Sequence, residues 1–198
     1  ASGVDSMAAG VSIKALGERS VAIGNNNEAQ STGSITLGVG YSDGNAANGL
    51  KQTLAITGYE YNMAIGAGAQ SAGNSSIAMG TLATSSIKNQ GDAVDKAIAI
   101  GYSAGVSDSK AIAIGSDAKS NSKSASALGD TAQALANDDL AIGTQAQASG
   151  SASAAIGARS AVSGANTYVV GSDNSNNPAG TGATIAATDS GVFGNQNR

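Results

Sequence analysis

Along this chain the large aliphatic residues come in pairs around one small residue, and each pair ends on a glycine. Val21–Ala22–Ile23–Gly24 is one such phrase, and Ile98–Ala99–Ile100–Gly101 is another. The closing glycines are Gly10, Gly24, Gly38, Gly66, Gly80, Gly101, Gly115, Gly129, Gly143, Gly157, Gly171 and Gly194. Eight of the eleven steps between them are 14 residues, and the run from Gly101 to Gly171 keeps that step without slippage. Register held through five consecutive steps marks a structural repeat.

Large–small–large over consecutive residues is the period of a strand with two unlike faces. Glycine then supplies the positive φ or the close approach of a tight corner. The second half of each repeat is weaker. Small apolar residues recur three and five places after the glycine, as at Ala104 and Val106, Ala132 and Ala134, and Ala146 and Ala148. A second glycine often stands at the seventh place, as at Gly17, Gly73, Gly150 and Gly164. Each repeat therefore reads as strand, corner, shorter strand, corner. The predicted fold is all-β, a parallel β-roll or β-solenoid with 14-residue coils stacked about 4.8 Å apart.

Two short strands enclose a narrow space that Ala suits and Ile does not. Ala22, Ala99, Ala113 and Ala141 are expected inside the roll, and Ile23, Ile100, Ile114 and Ile142 outside. About twelve stacked coils then carry an aliphatic stripe roughly 50 Å long and about 10 Å wide, on the order of 500 Å2. Each Ile in it forgoes roughly 1.5–3 kcal/mol while it stays wet. Further copies of the same chain are the economical cover, with their stripes meeting on a shared axis. The reverse orientation, Ile inward and Ala outward, gives a monomeric solenoid and remains open at this stage.

The residues expected at the core shared between copies, on the axis where their stripes meet, are Val21, Ile23, Ile35, Leu37, Ile65, Ile77, Met79, Ile98, Ile100, Ile112, Ile114, Leu128, Leu140, Ile142, Ile156 and Val170. The chain is expected to be one unit over 1–198, with regular coils at about 7–38 and 61–171 and insertions at about 39–60, 86–95 and 172–190. The first insertion holds Tyr41, Tyr59 and Tyr61, a candidate ligand-binding cluster because Tyr buries much area at low entropic cost. Packing of these rings over a bulge is the competing expectation. The lone LAITG (54–58) inside it is a candidate displaced coil. The second insertion reads as a polar loop, and the third as a loop or degenerate coil with ATIAAT as its strand.

Composition narrows the function. Glycine is high at 28 residues and aromatics contribute only 3%, yet 41% of residues are apolar. That is too apolar and too weakly charged for disorder, and too poor in large side chains for an ordinary core. The net charge is −4 and no basic cluster exists, which argues against nucleic acid as a partner. The absence of Cys removes disulfides and thiolate metal sites. There is no His to act as a base, and no nucleophile elbow, phosphate loop or catalytic carboxylate pair, so no enzyme, metal or cofactor is expected. Asp138–Asp139 reads as a solvated corner, and Asp117, Asp130 and Asp173 as turn residues. Thr forms no rank of the kind an ice-binding face needs.

The phrases SVAIG (20–24), SIAMG (76–80), KAIAIG (96–101 and 110–115), DLAIG (139–143) and SAAIG (153–157), at a 14-residue period, resemble the head domain of trimeric autotransporter adhesins, the YadA-like group. That resemblance implies a homotrimer of left-handed parallel β-rolls with the stripes at the trimer core. It implies a head exposed on the bacterial cell surface, outside the outer membrane, with membrane attachment through regions beyond this segment. The chain opens and closes in mid-pattern and reads as a fragment. The implied function is non-catalytic attachment, linked to virulence, to a host extracellular matrix or cell-surface protein. The family motif linked to collagen reads NSVAIGxxS, and Arg19 and Lys110 replace its leading Asn here. A structural spacer in a surface fibre, with no ligand of its own, is the alternative.

Overall fold

The computed structural model describes residues 1–40, 53–55, 60–85, 94–173, 184–185 and 188–195. Among these, every regular element is a strand and none is a helix. The strands alternate along the chain between two parallel sheets, one of 12 strands and one of 11. The chain is a parallel β-solenoid. Each turn contributes one strand to the first sheet, such as Ile112–Ile114, and a shorter one to the second, such as Lys119–Ser120.

The ladders keep every phrase in register with the next. Ile98, Ala99 and Ile100 pair with Ile112, Ala113 and Ile114. The three insertions do not disturb this alignment: Ile35 pairs with Met63, Ile98 with Ile77, and Tyr168 with Gly191. The coil glycines sit at a corner that only glycine fits. Gly115 has φ +136, and a Cβ there would overlap the carbonyl group of Gly129 in the next coil.

Two further corner positions per coil also have positive φ, and in most coils they are not glycine. Asp117, Thr131, Gln145 and Arg159 occupy one, at φ 53, 54, 59 and 56. Lys110, Ser124, Asp138 and Ala152 occupy the other, at φ 60, 58, 59 and 56. This conformation costs an L-residue roughly 1–2 kcal/mol. The ladder continues through it: Thr131 N–H donates to the Ser116 carbonyl at 2.8 Å, and Ala152 N–H to the Asn137 carbonyl at 2.9 Å. The backbone would lose those bonds in any other conformation, so the strain is held by pairing and not by residue type.

Alanine fills the interior. Ala22, Ala64, Ala78, Ala99, Ala113, Ala127, Ala141 and Ala155 are all 0% exposed, and they face Ala15, Ala29, Ala55, Val106, Ala134, Ala148 and Val162. A space two strands thick admits a methyl group from each side and little more, which explains a solenoid whose core is almost free of Ile and Leu.

The insertions enter at the corners, not on the sheets. Seventeen residues separate Gly38 from Ala55 where five separate Gly115 from Ser120, so this length enters between first and second sheet. Thr53–Ala55 lies in the second sheet between Asn27–Ala29 and Gln70–Ser71, and no first-sheet strand intervenes between Ile35–Val39 and Met63–Ile65. The described part of LAITG, residues 54–55, therefore lies in the second sheet and not in a displaced first-sheet phrase; residues 56–58 lie outside the described residues. Thr53–Ala55 forms the short strand of one lengthened coil, because a second-sheet strand needs only small residues facing inward, which Thr53 and Ala55 supply. Thr184–Ile185 has the same role in the third insertion, pairing with Ala161–Val162. The second insertion enters at the opposite corner, between Ser85 and Val94.

Candidate interaction surface

The outward side of the first sheet carries the aliphatic residues. Ile23, Met79, Ile114 and Ile142 are 37–38% exposed, whereas the alanine between each pair is sealed. Val21, Ile35, Leu37, Ile65, Ile77, Ile98, Ile100, Ile112, Leu128, Leu140, Ile156 and Val170 are all partly exposed on the same side. Parallel pairing at one fixed register aligns them into two adjacent columns along the roll. Beta-branched residues suit such a face, because parallel neighbours pack side by side on the pleated surface. Ile100 and Ile142 are not enclosed in the coil, so the outward orientation of the bulky residues is the one observed.

The face is not uniform along its length. Its N-terminal strands run through the glycine for five residues, Met7–Val11, Val21–Asn25 and Ile35–Val39. Val11 and Val39 thereby extend these strands past the glycine, at 66% and 50% exposure, with Asn25 paired between them. Nothing in the repeat phrase signals this extension. Towards the C-terminal end the column three places before the glycine changes character: Ile112 is followed by Ser126, Leu140, Ala154, Tyr168 and Gly191. Tyr168 and Phe193 are exposed and line a groove with Asn166, Asp189, Ser190 and Gly191.

Of the three tyrosines singled out in the first insertion, Tyr41 and Tyr59 lie outside the described residues. Tyr61 stands at a positive-φ corner, 61% exposed, with its ring over Gly33 of the preceding coil. A Cβ on Gly33 would come within 2.5 Å of that ring. Tyr61 thus covers bare backbone at one corner.

The carboxylates behave differently from one another. Asp138 is exposed at its corner, but Asp139 is only 1% exposed, so the pair is not a solvated corner throughout. Asp139 Oδ1 accepts from Ser153 N–H at 3.0 Å and from the Ser153 hydroxyl at 2.9 Å, and Oδ2 accepts from Ala136 N–H at 2.9 Å. Burial pushes its carboxyl above the usual carboxylate range, with a small contribution from the Asp138 charge, against the lowering effect of those hydrogen bonds. The position four before the glycine is a fourth interior column that sequence reading missed, because Ser, Ala, Asn, Thr and Asp all occur there. On the surface, Arg159 donates through Nε and Nη2 to the two carboxylate oxygens of Asp173, the latter at 2.8 Å. That pairing holds the Asp173 carboxyl below its ordinary value. Both charges are used in linking adjacent corners. Among the described residues no group of His, Cys, Asp or Glu could hold a metal ion.

The period, the closing glycines and the outward aliphatic columns together fit one family. The model of the YadA head domain repeat matches residues 1–27, 15–39, 63–83, 95–118, 120–146 and 137–160, more than half of the chain. The chain belongs to the YadA head domain family. It is a YadA-like head of the trimeric autotransporter adhesin type. No curated protein matches it. The matched segments avoid the three insertions, so they rest on the regular coils. The YadA head is a non-enzymatic adhesin domain of surface fibres.

Proposed function

We propose that this head assembles as a homotrimer through its aliphatic face and attaches a bacterium to a host extracellular matrix or cell-surface protein, without catalysis. The observation that carries the assembly is the outward face itself: two aliphatic columns, partly exposed over the length of the roll, above an interior already filled by alanine. A surface repeating once per coil is matched rung by rung only by another surface of the same repeat. Family membership supports both the trimer and the display at the cell surface. Attachment would draw on many weak contacts across three copies and many fibres, which combine by avidity.

Replacing Ile114 by Asp tests the assembly. The charge would be enclosed between copies, and sedimentation is expected to show monomer or unfolded chain. An unchanged trimer refutes the stripe as the interface. Replacing Tyr41, Tyr59 and Tyr61 by Ala, which leaves the second-sheet strand Thr53–Ala55 in its coil, tests a binding role for the first insertion in the intact trimer, with loss of attachment to matrix-coated surfaces expected. Full retention supports the spacer reading, which the seat of Tyr61 over Gly33 favours for that tyrosine.

A further inference from the structure

We infer that Ser126 sets the axial register of the copies. This rests on the proposed trimer. A repetitive interface has a slippage problem. The rungs Ile77/Met79, Ile98/Ile100 and Ile112/Ile114 are nearly interchangeable, and each pairs directly with the next. A neighbouring copy displaced by one coil, about 4.8 Å, would meet aliphatic with aliphatic along this stretch. Only a residue that breaks the repeat can tell the two alignments apart.

Ser126 is one such residue, the polar break beside the uniform rungs, in a column that changes again at Ala154, Tyr168 and Gly191. It is partly exposed on the outward side of Ser126–Leu128, in the column where Ile112 precedes it and Leu140 follows. Among the described residues no hydrogen-bond partner of its hydroxyl is found within its own chain. In aligned copies the Ser126 hydroxyls lie level and bond to one another. In copies slipped by one coil, each would be enclosed against Ile112 or Leu140 of its neighbour with no partner. A buried unpaired hydroxyl is unfavourable, whereas a satisfied polar layer in an apolar interface selects one register at some cost in stability.

Cysteine reporters test this, since the chain has no cysteine of its own. One chain carries Ile100→Cys and another Leu128→Cys, positions two coils apart. Aligned copies hold these about 9.6 Å apart axially, beyond the roughly 7 Å reach of a disulfide, and a one-coil slip brings them to about 4.8 Å. The two chains are refolded together and oxidised, in the parent background and with Ser126→Ile. The mixed disulfide is expected to rise at least about tenfold with Ser126→Ile, the change that 1.4 kcal/mol of lost discrimination produces. The trimer itself should persist by sedimentation. A Ser126→Ile trimer with no rise in mixed disulfide overturns the register role alone. A parent chain that is monomeric, with no disulfide between Ile100→Cys copies, overturns the trimer reading beneath it. Ser126→Ala repeats the test without added bulk, and an unchanged disulfide pattern there also counts against the inference.

Discussion

The coils from Ala97 to Ala134 and the coils around the first two insertions close the same kind of turn with different interiors. In the regular stretch the inward positions are almost all alanine or valine: Ala97, Ala99, Ala104, Val106, Ala111, Ala113 and Ala118 are buried together. Between Ser20 and Ser85 the buried set includes Ser20, Asn27, Ser34, Thr36, Thr53, Asn62, Ser71, Ser76 and Ser85. Several of these bond backbone next to an insertion. Thr53 donates to the Gly66 carbonyl at 2.7 Å, and Asn27 to the carbonyls of Ile23 and Gly38 at 2.5 and 2.7 Å. Ser76 donates to the Val94 carbonyl at 2.7 Å and accepts from Ala97 N–H at 3.2 Å, just beyond the second insertion. Where the 14-residue repeat runs unbroken from Ala97 to Ala134, ladder pairing and methyl groups nearly suffice, the buried Ser120 hydroxyl, which donates to the Ala125 carbonyl at 2.8 Å, being the exception. Where extra length enters at a corner, side chains supply bonds at its margins.

The largest expected effect lies in the regular stretch. Gly115→Ala combines a φ of +136 with overlap on the Gly129 carbonyl, and neither coil can shift without breaking its ladder. The expected loss is at least about 3 kcal/mol, read as a fall in the denaturation midpoint. Gly33→Ala should cost less, because its φ of +64 is open to L-residues and its obstacle is the Tyr61 ring. Adding Tyr61→Ala should then recover part of the loss. Equal effects at the two glycines would mean that corner strain, not backbone overlap, sets the cost.

Next comes the stitch at the second insertion. Ser76→Ala would strand the Val94 carbonyl and leave Ala97 N–H without its side-chain acceptor, costing about 1–3 kcal/mol. The same alanine is native at Ala97 and Ala111, the equivalent positions of the following coils, where it is fully buried. A Ser76→Ala chain as stable as the parent would remove the distinction between the two regions.

The regular region was legible in the sequence for a physical reason. Enclosure between two strands allows one side-chain size, so Ala22, Ala99, Ala113 and Ala141 repeat and the inference from size to orientation works. The lengthened coil was less legible. LAITG resembles a first-sheet phrase, yet Thr53–Ala55 answers to the second sheet, whose demand is only for small inward residues. The positive-φ corners left no trace because the ladder bonds fix the backbone for Leu82, Gln145 or Arg159 alike. The outward columns were readable as far as the phrase extends, from Val21 to Val170. The strand extensions at Val11 and Val39 escaped because they stand beyond the glycine, where most coils place polar residues.

A gain in stability is expected at Thr36. It takes the interior position held by Ala22 and Ala64 in the paired coils, and its buried hydroxyl has no hydrogen-bond partner among the described residues. Thr36→Val keeps the shape and removes the unpaired group, and should raise stability by about 1 kcal/mol in a denaturant titration. A loss would show that the hydroxyl is satisfied in solution and belongs with the stitching residues.

The smallest effect at neutral pH is expected at Asp139, a buried carboxylate inside the C-terminal run. Asp139→Ser puts there the residue that the next coil carries at Ser153. The variant loses three hydrogen bonds and is also relieved of a buried negative charge, two changes that oppose one another. Acid separates them. The folded carboxyl titrates above its unfolded value, so the native state binds its proton more tightly. The parent therefore gains stability as pH falls from above the raised value towards the ordinary carboxylate range, and keeps the gain below it. Denaturation midpoints of parent and variant at pH 7 and pH 4 should show the difference shifting in favour of the parent at the lower pH. A shift the other way would mean that the donors of Ser153 and Ala136 outweigh burial, and that the polar interior of this coil is held by its charge.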